Sequence, residues 1–163
     1  MSITPTTLSR AAGVAAVASG LLFIGVQINH PPMDVASVTT AEWTLRNSLK
    51  VIMAVCALAG ISGMYLSQVR SNRALGLIGY LVFGAGYLLI MSVAFVAAFV
   101  LPALADTAPA YVNDVLDVAA GGTATGDIGL LQTVIQLQGI AYLAGGFIFG
   151  IALLRAKVLA RWA

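Results

Sequence analysis

The chain has 163 residues, 60% of them hydrophobic and only 9% charged, with a formal net charge of +2. Its mean hydropathy is +0.98, whereas soluble domains carry about 25% charged residues, so the composition excludes an ordinary soluble fold. The length suits one domain covering 1–163, and no basic cluster has the size or aromatic interleaving of a nucleic-acid face.

Met1 to Ser9 reads as a short polar tail. Ala11 to Ile28 then runs 18 residues without a charge, long enough to cross the ~30 Å hydrocarbon core. A lone Arg10 before it, and no small-x-small cleavage site after it, favour a retained helix over a cleaved signal peptide. Ala12, Ala16 and Gly20 form a stripe of small residues, the usual means for membrane helices to approach closely. Asn29-His30-Pro31-Pro32 ends this helix, because two prolines cannot continue its hydrogen-bond ladder.

A polar connector leads to Thr39 or Thr40, either of which can cap a second helix with Glu42 in its first turn. That helix is expected from Ala41 to about Val69, with its membrane span over 48–69 and Trp43 as an anchor at the interface. Glu42, Arg46 and Lys50 are spaced by four and share one face. Cys56 is the chain's one cysteine; in the middle of an apolar run it reads as packing.

Arg70-Ser71-Asn72-Arg73 reads as a tight basic turn. A third span follows over 74–101, rich in glycine and ended by Pro102. The loop from Asp106 to Gly129 holds four acids, Asp106, Asp114, Asp117 and Asp127. Within it Tyr111, Val112, Val115, Leu116 and Ala119 recur at helical spacing, which predicts an amphipathic interfacial helix over 109–120. A fourth span over 130–155 is polar early, at Gln132, Gln136 and Gln138. Its later half carries Gly146-xxx-Gly150 and Ala141-xxx-Gly145, the strongest signal for helix–helix association in the chain. Arg155, Lys157, Arg161 and Trp162 close it.

Arg10, Arg70, Arg73, Arg155, Lys157 and Arg161 fall on one side of this topology; all six acids, with Arg46 and Lys50, fall on the other. The positive-inside rule places both termini in the cytoplasm. The fold expected is an all-α bundle of four transmembrane helices in a bacterial cell membrane.

The polar residues gather at the outer ends of the helices. Ionisable groups inside a membrane bundle are costly and mark candidate sites. Arg46, Glu42, Asn47, Lys50, His30 and Gln136 are therefore the candidate ligand-binding set, with Arg46 and Gln136 one turn deeper. The alternative for Glu42 and Lys50 is a solvated helix start. His30 could serve a metal or, with Met33 or Met64, a haem, but no ligand set accompanies it, so no metal or cofactor is expected. Ser92, His30 and Asp106 could be drawn as a hydrolytic trio, without any supporting local motif. No filter, charged ring or internal repeat of a channel or transporter is present.

Several stretches resemble small multi-pass integral membrane proteins of actinobacterial type. These are His30-Pro31-Pro32 after the first helix, Trp43 followed four residues later by a polar residue, and Gly60 to Gln68 with Tyr65 before a basic turn. Phe99 to Ala105 and Leu153-Leu154-Arg155-Ala156 running on to Arg161-Trp162-Ala163 complete the match. Such proteins often have His where Asn47 stands and Glu near Ala97 or Ala98, and many continue into further helices. The resemblance implies a fold and a topology, and no activity.

Two functional readings follow from the residues. The first is a non-enzymatic component acting through lipid contacts, or through Gly146, Gly150, Ala141 and Gly145 on a second copy or a partner membrane subunit. The alternative is a binder, transporter or enzyme for a lipid- or isoprenoid-like apolar small molecule, held at the outer ends of the helices.

Overall fold

The computed structural model describes residues 4–156, side chains 5, 72 and 73 excepted; Lys157, Arg161 and Trp162 lie outside the described residues. Helix α1 spans Pro5–Gln27, earlier than the expected start, because Thr4 caps it: its hydroxyl accepts from the Thr7 N–H at 3.3 Å. Proline in the first turn loses no bond there. Asn29 then takes a left-handed φ of 52°, a conformation that asparagine tolerates, and turns the chain into His30 and the two prolines.

The connector contains a single helical turn, α2 (Val35–Val38), which its polar composition had concealed. The Asp34 carboxylate caps it, accepting from the Ser37 N–H at 2.7 Å, and Val38 is fully buried. Helix α3 spans Ala41–Ser67, with the Thr40 hydroxyl accepting from the Trp43 N–H at 3.2 Å.

Helix α4 spans Val69–Phe95, so only Gln68 separates it from α3, and the expected basic turn is instead the start of α4. Arg, Ser and Asn do not break a helix as Pro or Gly does, and the Ser71 N–H bonds back to the Gln68 carbonyl at 2.9 Å. Nor does Pro102 end this span. The helix widens into a π-helical stretch over Val96–Val100 and resumes as α5 (Leu101–Leu104). Helix α6 spans Pro109–Ala119 and α7 spans Leu130–Ala156. The chain is thus all-helical among the described residues, with four helices long and apolar enough to cross a membrane.

Neighbouring spans run antiparallel and touch through small residues. Gly60 and Gly63 of α3 meet Ala16 and Ala12 of α1. On α4, a Cβ added at Gly79 would lie 2.6 Å from the Phe149 nitrogen of α7, and one at Gly86 would lie 2.7 Å from that of Tyr142. Gly145 of α7 presses in return on the Phe83 backbone. Between α3 and α4, Tyr65 and Tyr80 stack at 4.6 Å, and the Ser62 and Tyr80 hydroxyls lie 3.1 Å apart. Lipid tails are as apolar as leucine, so such contacts associate helices by close packing rather than by hydrophobic burial. The alternation brings Pro5 and Ala156 to one end of the bundle.

Helix α6 covers the other end. Its apolar face contributes Val112, Val115, Leu116 and Val118 to a buried cluster with Val38, Trp43, Leu101 and Ile135. One side chain on that face is charged. Asp114 Oδ1 accepts from the Thr125 N–H at 2.7 Å and from its hydroxyl at 2.9 Å, and Oδ2 accepts from the Gly126 N–H at 3.0 Å. The carboxylate thereby fastens the α6–α7 loop.

Two predictions follow from these contacts. Gly145→Leu drives a side chain into the Phe83 backbone and should destabilise the protein by about 1–3 kcal/mol or more. Gly150→Leu, at a position where an added Cβ meets nothing within 4 Å, should not; thermal unfolding in detergent compares the two. The Asp114 carboxyl is held below the usual carboxylate range, chiefly by the Thr125 N–H, then by the Thr125 hydroxyl and the Gly126 N–H, with burial opposing. A lowered pKa means that the clasp contributes fully above the unfolded-state value and is lost as pH falls through the folded one. Amide exchange at Thr125 and Gly126 should therefore accelerate in acid, and at neutral pH in Asp114→Asn.

Candidate functional site

A cavity of ≈ 350 Å³ opens at the α6 end of the bundle. It lies between the start of α3, the last turns of α4 with the π-helical stretch, α6, and the start of α7. Its walls are mostly apolar, among them Val93, Val115, Leu116 and Leu131, and its polar groups are His30, Asn47, Lys50 and Gln138.

The wall formed by α4 depends on Pro102. In a regular α-helix the Ala97 carbonyl would accept from the Leu101 N–H. Here that N–H bonds to the Val96 carbonyl instead, in the i→i+5 pattern of a π-helix. The same pattern would pair Ala97 with residue 102, which is proline and has no N–H. The carbonyl is left without a backbone donor, and the Trp43 indole N–H supplies one at 2.8 Å. Trp43 is only 2% exposed, so it is an internal strut between α3 and α4 rather than the expected interface anchor.

His30 packs edge-on against Trp43, with ring centroids 6.2 Å apart and planes at 77°. Its Nδ1 lies 2.8 Å from the Pro31 carbonyl oxygen, and its Nε2 lies 3.1 Å from Lys50 Nζ. A carbonyl only accepts and an ammonium only donates. The arrangement therefore assigns the proton to Nδ1 and leaves Nε2 as acceptor for a charged Lys50. Asn47 is 3% exposed and donates from Nδ2 to the Trp43 carbonyl at 3.0 Å. These contacts hold Asn47 and His30 against the α3 backbone and the proline turn.

Arg46 is engaged elsewhere. Its Nη1 donates to the carbonyls of Val26 at 3.2 Å and Ile28 at 2.7 Å, the unpaired groups at the end of α1. Nε and Nη2 bind Glu42 Oε1 at 2.9 and 2.8 Å. A cation satisfying the last carbonyls of a helix also complements its dipole, so Arg46 and Glu42 tie α1 to α3, and neither lines the cavity.

Of the six sequence candidates, the structure thus brings His30, Asn47 and Lys50 together at the cavity. It sets Arg46 and Glu42 beside it, and leaves Gln136 exposed on α7. Gln138 is the cavity glutamine. Leu131, Ile135, Gln138, Tyr142, Gly145, Phe149 and Ala152 recur every three or four residues, and all are at least partly buried. That period was available in the sequence as an inward stripe. Ser92, considered for a hydrolytic trio, donates its hydroxyl to the Leu88 carbonyl of its own helix at 2.9 Å and does not line the cavity. Among the helix-contact candidates, Gly145 meets the Phe83 backbone, Gly146 the Phe83 ring, and Ala141 lies at the Gly86 contact.

The chain matches no protein-family model, no curated protein and no solved structure. Its fold and site define a multi-pass membrane protein with a small, mostly apolar cavity carrying four polar side chains at one end of the bundle.

The Trp43–Ala97 bond yields a direct test. Trp43→Phe keeps an aromatic ring in the core but leaves the Ala97 carbonyl unsatisfied, at a cost of about 1–3 kcal/mol. Chemical unfolding in detergent should register that loss.

Proposed function

We propose that this protein binds a lipid-like or other amphiphilic small molecule in the cavity beneath α6. The observation that carries the reading is the cavity itself. Its ≈ 350 Å³ falls within the ~300–1,000 Å³ of small-molecule sites, which are typically apolar with a few placed polar groups. Here the polar groups are His30, Asn47, Lys50 and Gln138, with His30 and Lys50 in contact at 3.1 Å, so a polar head can be hydrogen-bonded while the rest of a ligand meets aliphatic walls. The reading is of a binding component without catalytic chemistry of its own.

The setting is a bacterial cell membrane with both termini in the cytoplasm. The bacterial setting is supported by the resemblance that His30-Pro31-Pro32 and Leu153-Leu154-Arg155-Ala156 carry. The orientation is supported by the basic residues at the terminal end, Arg10, Arg70 and Arg155 among them, and by the acids at the α6 end. The cavity then opens towards the extracytoplasmic face. Self-association through α7 draws less support, because Gly145 and Gly146 already meet Phe83 of α4, leaving Gly150 with open space.

Native mass spectrometry of the protein released from a mild detergent tests the reading. One defined lipid-sized mass should remain per chain, and Leu131→Trp, which fills the cavity, should remove it without altering elution. A wild-type chain that carries no such mass and takes up none from a membrane lipid extract would overturn the reading.

A further inference from the structure

The cavity beneath α6 adjoins further open space along the bundle. Helix α1 packs on α3 and α7 packs on α4, so α1 and α7 face each other across a groove. The part of the groove next to the cavity is ≈ 200 Å³, and it shares Lys50 and Ile90 with the cavity wall. A deeper part of ≈ 270 Å³ shares Phe23, Tyr87 and Tyr142 with the first and reaches Ala16, Gly20 and Met64. From Lys50 to Met64 the groove follows α3 for about 21 Å at 1.5 Å rise per residue. That exceeds half of the ~30 Å hydrocarbon core, enough for an extended chain belonging to one leaflet.

Lys50 stands at the junction of cavity and groove. Its charge differs from that of the other cation on this helix face. Arg46 has Glu42 at 2.8 Å, whereas among the described residues no carboxylate lies within ion-pairing distance of Lys50. Its recorded partner is the neutral Nε2 of His30. A half-buried ammonium in a membrane bundle is costly unless an anion meets it. The remaining cavity groups, Asn47 and Gln138, are amides suited to accompanying hydrogen bonds.

We infer that cavity and groove form one site for a single-chain anionic amphiphile, its phosphate or carboxylate head on Lys50 and its tail between α1 and α7. The inference rests on the cavity being a ligand site, and it adds the charge of the head, the course of the tail and lateral entry from the bilayer. Charge complementarity selects the head: Lys50 offers three donors and no acceptor. The groove selects the tail, because beyond Lys50 its lining is mostly apolar, with Phe23, Met53, Ile61 and Met64 along it, and a Cβ added at Gly20 would meet nothing within 4 Å.

The test titrates the full-length protein in mild detergent with oleoyl lysophosphatidic acid, oleoyl lysophosphatidylcholine and inorganic phosphate, read by native mass spectrometry. The anionic lysolipid should bind one per chain, about tenfold tighter than the zwitterionic one, and inorganic phosphate should not displace it. Lys50→Gln should abolish the preference and Lys50→Arg should keep it. Gly20→Phe, at a groove-lining position where an added Cβ meets nothing within 4 Å, should weaken the oleoyl lipid about tenfold and leave a hexanoyl analogue unchanged. Equal binding of both lysolipids, indifferent to Lys50→Gln, would overturn the anionic head while leaving the cavity reading intact. Displacement by phosphate, or indifference to Gly20→Phe, would overturn the tail path. Binding of neither lysolipid would overturn this inference, whereas the cavity reading falls only if the chain also takes up nothing from a membrane lipid extract.

Discussion

Between Ala97 and Pro102 the third membrane span of this fold has one backbone acceptor too many. Pro102 has no N–H, the Leu101 N–H has shifted to Val96, and the Ala97 carbonyl is left facing α3. In the hydrocarbon of a membrane an unsatisfied carbonyl costs several kcal/mol, so this position requires a donor from outside its own helix. Trp43 supplies it. The consequences extend through the site: the wider π turn carries Val96 and Ala97 into the cavity wall, and the indole meets the His30 ring nearly at right angles. A proline that only ended a helix would have left α4 shorter and this wall absent.

Charge is divided between two tasks at the same end of the bundle. Arg46 is consumed by structure, because α1 ends with carbonyls that the strained turn at Asn29 leaves unpaired, and a guanidinium can serve two of them while holding Glu42. Lys50, one turn deeper, is left facing the cavity with only an imidazole beside it. Two cations four residues apart thus differ in their partners because one reaches a helix terminus and the other does not. Asp114 acts in the same way as Arg46, binding the loop backbone and holding α6 over the opening.

The four spans could be read from the sequence because each is a long uncharged run, and hydrocarbon thickness sets the length required. Helix α6 was legible because Val112, Val115 and Leu116 repeat at helical spacing between turn residues. The site was legible only in part. Ionisable residues near helix ends were singled out as candidates, which found His30 and Lys50, but charge alone could not say that Arg46 would turn to the end of α1. Gln136 drew attention as a polar residue at depth, yet Gln138 shares the inward period of Gly145 and Phe149. By sequence, Trp43 near a helix start points to the membrane interface, where tryptophan is common. Its burial follows from Pro102, which lies 59 residues away in sequence, and no local pattern links the two. The turn Val35–Val38 escaped notice because four residues carry too little periodicity.

The central claim is that an amphiphile occupies the space under α6 rather than the general lipid surface. Photolabelling with a diazirine-bearing lipid analogue in liposomes, followed by peptide mapping, measures this directly. The account predicts labels concentrated on α6, on Val93 to Leu101 and on the start of α7, with competition by unlabelled lipid. Labels spread over outward residues such as Leu143 and Phe147, each 71% exposed, and indifferent to competitor, would contradict it.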